Sequence, residues 1–95
     1  MRNYEAMIIL RPDMEEEARN TLVEKIQDII VKGGGEIRET AHWGQRRLAY
    51  EIQKLRDGYY ILVKFTDKGE NIRELERNLN IMDNILRFLV VREGE

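Results

Sequence analysis

An α+β fold, with four antiparallel strands and two helices on one face of the sheet, is predicted by three features of the sequence. Four stretches alternate apolar and polar residues with a period of two, and two others place apolar residues at helical spacing. Turn and helix-stop signals separate these stretches and set the order βαββαβ.

The first strand is "RNYEAMIILR", residues 2–11, with Tyr4, Ala6, Ile8 and Leu10 on one face and Asn3, Glu5, Met7 and Ile9 on the other. Pro12 ends it, and Asp13 followed by Glu16 carries the signature of a helix N-terminus. Ala18, Leu22, Ile26, Ile29 and Ile30 then mark one buried stripe of a helix that should end near Lys32. The glycines 33–35 follow a helix and precede a strand, the reverse of a phosphate loop, so they are a helix stop. A long second strand spans Glu36 to Gln53 and is expected to bend or bulge at Gly44. Asp57-Gly58 supplies a turn signal into "YYILVKFT", where Tyr59, Ile61, Val63 and Phe65 share one face and Tyr60, Leu62, Lys64 and Thr66 the other. Asn71 and Glu74 repeat the capping pattern before Ile72, Leu75 and Leu79. Asp83-Asn84 turns the chain into "ILRFLVVR", with Phe88 and Val90 opposite Arg87, Leu89 and Val91. This is the split βαβ, ferredoxin-like arrangement: a two-layer α+β sandwich in one domain over residues 1–95.

Composition narrows the function. The chain is 42% hydrophobic and 36% charged, with one proline, the balance of a folded soluble protein. Its longest apolar run is about four to five residues, against the roughly 20 of a membrane span. With no apolar signal region at the N-terminus, the protein is expected to stay in the cytosol. There is no cysteine and a single histidine, so neither a thiolate site nor a multi-histidine metal site is expected. A net charge of −2 argues against strong non-specific nucleic-acid binding, which rests on an excess of Lys and Arg at phosphates, but leaves room for a local contact.

With the helices on the face of Tyr4, Ile8, Ile61, Val63, Phe88 and Val90, the opposite face presents Met7, Ile9, Tyr60, Leu62, Leu89 and Val91. Glu5, Lys64 and Arg87 edge it, and an apolar patch with a charged border is the expected mark of a protein partner. An RNA-recognition motif shares the strand order, but its third-strand signature is met in residues 57–64 only by Gly58 and Tyr59. Enzyme chemistry has less support. Glu15, Glu16 and Glu17 fan out at a helix start, His42 has no evident partner, and Trp43 beside a strand bend reads more readily as packing than as a stacking platform. No catalytic group, cofactor or small-molecule substrate is expected.

Taken together, "RNYEAMIILRPD", "WGQRRLAYEIQKLRDGYY" and "ILRFLVVRE" resemble the family of the sixth small-subunit ribosomal protein of bacteria, over nearly the whole chain. The resemblance is most specific at Gly44, Arg46, Arg47, Leu48, Ala49, Tyr50 and Ile52. It implies a non-enzymatic component of the small ribosomal subunit that binds the central domain of small-subunit ribosomal RNA together with the eighteenth small-subunit protein. A basic partner would then supply much of the phosphate neutralisation that this acidic chain lacks. A module of the same fold acting outside the ribosome is the alternative.

Within that reading Leu48 and Tyr50 are expected in the core. Strand alternation sends Arg46 and Arg47 to opposite faces, where each either meets RNA or is solvated or ion-paired. Arg2, Arg87 and Arg92 are further candidates for phosphate contact, expected to be neighbours if the first and last strands are adjacent or separated by one strand. The partner interface is assigned to Met7, Ile9, Tyr60, Leu62, Lys64, Leu89 and Val91. Lys64 and Arg87 would suit acidic groups of either the protein or the RNA.

Overall fold

Alternation and helix-stop chemistry resolve into six elements in a computed structural model, which describes residues 1–94. They are β1 (Arg2–Leu10), α1 (Glu16–Lys32), β2 (Glu36–Ile52), β3 (Leu55–Asp67), α2 (Ile72–Asn80) and β4 (Ile85–Arg92). The strands form one antiparallel sheet in the order β2-β3-β1-β4, the ferredoxin-like order.

Period-two apolar residues put Tyr4, Ala6, Ile8 and Leu10 of β1 beneath the helices with Ile61, Val63 and Phe65 of β3. Phe88 and Val90 of β4 pack against this core from its edge. The helices contribute Val23, Ile26 and Ile30 from α1 and Leu75 and Leu79 from α2. The α1 stripe is rotated from the expected one: Ala18 is exposed, Leu22 and Ile29 are half-buried, and Val23 takes a central place. Arg19 fills the first turn of that stripe by laying its guanidinium 4.0 Å over the Tyr59 ring, which covers apolar surface an alanine could not reach.

The glycine run ends α1 as a Schellman motif. Gly35 N–H donates to Ile30 O and Gly34 N–H to Val31 O, with Gly34 in the left-handed region at φ 99°. The helix start differs from expectation. Its N-cap is Glu15, with no side-chain cap bond, and Asp13 instead pairs with Arg11 at 3.4 Å. The Asn71 side chain likewise leaves its own helix uncapped and donates to Gly33 O, tying the two helix ends together.

The hairpin turn also lies elsewhere than expected. Gln53 and Lys54, at φ 50° and 66°, connect β2 to β3, and Asp57-Gly58 is strand. Gly58 has a packing role: a Cβ there would stand 2.4 Å from Ile9 Cγ2 and 3.1 Å from Leu48 Cδ2. Register shifts between Ile37 and Glu39, His42 and Gly44, and Arg47 and Ile52 bend β2 along its length, and Gly44 at φ 88° is the expected bulge. Among the described residues no helix is long and apolar enough to cross a membrane.

Candidate functional site

Residues opposite one another in register share a face, so the open face can be read across the sheet. Glu39, Lys64, Glu5 and Val91 form one row, Ala41, Leu62, Met7 and Leu89 the next, and Gly44, Tyr60, Ile9 and Arg87 a third. Leu89 is 62% and Val91 41% exposed. Met7, Ile9 and Tyr60 are half-buried, while Leu62 is buried by its neighbours and offers little to a partner. The apolar patch is therefore concentrated on β4.

Bending of β2 carries its far end over this same face. Leu48 is buried there, above Gly58 and Ile9 and outside the main core cluster. Tyr50, expected in the core, is 58% exposed, and the Arg87 guanidinium lies 5.2 Å from its ring centroid. Arg46, Leu48 and Tyr50 share a face as the alternation predicts, but that face is the open one, and the register slips between Arg47 and Ile52. At the hairpin tip Gln53 Oε1 accepts a hydrogen bond from Arg11 at 3.3 Å, fixing the fold-over to the end of β1.

The opposite end of the open face is polar. Lys64 Nζ sits 3.7 Å from Glu5 Oε1, and Arg38 Nη1 donates to Glu93 Oε1 at 2.5 Å, so ion pairs join β1 to β3 and β2 to the residue just past β4. The Arg38 guanidinium holds the Glu93 carboxyl below the ordinary glutamate range. A depressed carboxyl contributes its contact fully above the ordinary carboxylate pKa and loses it as pH falls through the folded value. Carboxyl NMR titration should accordingly give Glu93 a midpoint below that of a free glutamate, with Arg38→Ala moving it up. A wild-type midpoint at the free value would contradict the pair.

The five candidate arginines divide between the two ends of the sheet. Arg2 pairs with Asp67 in register and Arg92 with Tyr4, which places both at the start of β1. Arg87 lies opposite Ile9, seven residues further along β1 and so about 23 Å from the level of Arg2. The expected Arg2, Arg87 and Arg92 cluster is thus reduced to Arg2 and Arg92. Arg46, opposite Gly58, is at the Arg87 end, and Arg47 is opposite Asp57 on the other face. Arg2, Arg46, Arg47, Arg87 and Arg92 are all exposed.

Tyr59 belongs to the covered face, where its hydroxyl meets His42 Nδ1 at 3.1 Å. The open face therefore lacks the run of aromatics that a base-stacking recognition motif presents on its third strand. Among the described residues no group of three or more His, Asp or Glu side chains could hold a metal ion.

Residues 3–92 match the family model described as ribosomal protein S6. The chain is 48% identical over 95 residues to small ribosomal subunit protein bS6 of Caldanaerobacter subterraneus subsp. tengcongensis, covering all of both chains. It is 45% identical to the protein of the same name from Moorella thermoacetica, covering all of this chain and 97% of that one. A crystal structure of 30S ribosomal protein S6 from Thermotoga maritima superposes with a TM-score of 0.89 at 38% identity, over 97% of this chain and 87% of that one.

Proposed function

The chain belongs to the ribosomal protein S6 family, and we propose that it binds the central domain of small-subunit ribosomal RNA cooperatively with the eighteenth small-subunit protein. Membership makes it a structural constituent of the small subunit in the cytoplasmic ribosome, and not an enzyme. One observation carries the finer reading: exposed Leu89 and Val91 lie on the open face of the sheet, beyond the β2 fold-over that covers its other end, in a protein of net charge −2. A chain of net charge −2 has no overall excess of Lys and Arg to drive strong RNA binding by itself. Burying β4 apolar surface against a basic partner would provide both the adhesion and the missing positive charge.

In this reading Leu89 and Val91 are the principal partner contacts, with Met7, Ile9 and Tyr60 beneath them and Tyr50 as an addition from the fold-over. Leu62 supports the patch from below. Lys64 is engaged by Glu5 and contributes orientation more than free charge. Arg46, Arg47 and Arg87 at one end of the sheet, and Arg2 and Arg92 at the other, are two separate phosphate contacts that would fix register on the RNA without reading sequence.

The test is a gel-shift titration of a central-domain RNA fragment with this protein, with the eighteenth protein, and with both. A shift that tightens at least ~10-fold when both are present is expected, and Leu89→Asp should abolish that gain while leaving the thermal melt unchanged. Equal shifts with and without the partner, or a Leu89→Asp protein that still cooperates, would overturn the reading.

A further inference from the structure

Trp43 has no part in the core or in the β4 patch. It lies on β2, an edge strand paired with β3. The register slips between His42 and Gly44, leaving Trp43 as the extra residue of the bulge. Apart from its chain neighbours, nothing stands within 4 Å of the position a Gly44 Cβ would take, so the backbone at the bulge is uncrowded. The side chain is 43% exposed, unlike the packed role expected of a lone tryptophan at a strand bend. The Arg46 guanidinium lies over its ring, 5.1 Å from the centroid.

We propose that Trp43 is a stacking seat for one unpaired RNA base, with Arg46 beside it to meet the phosphate of that nucleotide. The inference rests on the RNA-binding reading above and adds to it a ligand class and a contact. Residues 40–48, "TAHWGQRRL", contain two arginines, a histidine and no carboxylate in a chain whose net charge is negative. His42, Gln45, Arg46 and Arg47 around the indole are all exposed. A tryptophan that anchors a protein interface sits at the dry centre of an apolar patch. An aromatic ring interleaved with cations on a wet edge suits a base with its phosphate. A single ring on a bulge offers one seat, and bases within a duplex are already stacked, so the target is an unpaired nucleotide.

Trp43 is the only tryptophan of the chain and reports on its own contact. The RNA fragment is titrated into this protein with the eighteenth protein present, following gel shift and tryptophan emission together, with Trp43→Phe subtracting any emission from the partner. Quenching is expected at the midpoint of the shift. Stacking on one base corresponds to roughly 10- to 100-fold in affinity, which Trp43→Ala should lose and Trp43→Phe largely retain. Trp43→Leu, which keeps the bulk without an aromatic face, should weaken RNA binding with the same thermal melt as the native chain. Arg46→Ala should lower the salt dependence of binding by about one phosphate contact. Unquenched emission with native affinity in Trp43→Ala would remove the seat and leave the RNA-binding reading standing. Loss of the eighteenth protein's binding by Trp43→Leu without RNA would assign the ring to a protein contact and also overturn the seat. No complex in any lane would overturn both readings.

Discussion

Phe65→Ala is expected to destabilise the fold by about 3–5 kcal/mol, the range for deleting a buried aromatic side chain from a core that cannot collapse around the loss. Phe65 is 1% exposed on β3, one strand in from the sheet edge. Its ring stacks on Tyr4 with centroids 5.6 Å apart and planes 19° from parallel. Tyr4 is its register partner on β1 and Ile37 its partner on β2, so truncation opens a void beneath three strands at once. The backbone ladder on both sides fixes their spacing, and the void has little means of closing. Part of the loss is the ring pair itself, about 0.5–1.5 kcal/mol beyond area burial.

Against a total stability of roughly 5–14 kcal/mol for a chain of this length, that change would bring the protein close to its folding threshold. Urea unfolding measures it: the midpoint should fall sharply with the slope preserved, because the surface exposed on unfolding is nearly unchanged. Phe65→Leu, which keeps most of the volume, should cost less than half as much. A loss below about 1.5 kcal/mol in Phe65→Ala would mean that Tyr4 swings into the space and that the core is more plastic than its ladder pairing implies.

How the fold was legible follows from which signals are local. Alternation in residues 2–11, 59–66 and 85–92 identified the covered and open faces because a strand's side-chain period is fixed by its backbone. The glycine run gave the end of α1 because a left-handed residue after a helix has few other candidates. The hairpin turn was misplaced for the converse reason. Gln53 and Lys54 carry none of the Asn or Gly preference of a tight turn, while Asp57-Gly58 carries it and lies in a strand. Pairing over the long β2–β3 ladder holds the true turn in the left-handed region against local preference.

The site was less legible than the fold because faces are set by bending as well as by period. Tyr50 was in the right phase, yet three register shifts along β2 take it over the open face to Arg87. Nothing in residues 46–52 encodes a curve accumulated upstream. Arg2, Arg87 and Arg92 are expected as neighbours if the first and last strands are adjacent or separated by one strand; the two strands do pair, but adjacency is not proximity on strands of this length. The sequence points to packing for Trp43 because exposure of an aromatic ring depends on whether another strand lies outside it, and in this sheet β2 is an edge strand.

The misread Gly58 leads to the second large effect. Gly58→Ala should destabilise by about 2–3 kcal/mol, toward the upper end of what one added carbon costs in a packed layer. The new Cβ would stand 2.4 Å from Ile9 Cγ2, a methyl fixed to the branch carbon of a strand residue, and 3.1 Å from Leu48 Cδ2. Leu48 can yield by changing rotamer, whereas Ile9 Cγ2 is close to the backbone of β1, which is paired on both sides. Relief therefore comes either from local separation of β1 and β3 or from lifting the Leu48 end of β2. Removing the clashing methyl tests the cause: Gly58→Ala should cost at least ~1 kcal/mol less in an Ile9→Ala background than in the native one. An additive double mutant would locate the cost elsewhere. If the strain is instead released through Leu48, the fold-over that carries Tyr50 loosens, and hydrogen exchange at residues 48–52 should rise before that of β1. Stability and the shape of the partner-facing surface then depend on the same missing side chain, since glycine at 58 is what lets β2 lie down across the sheet.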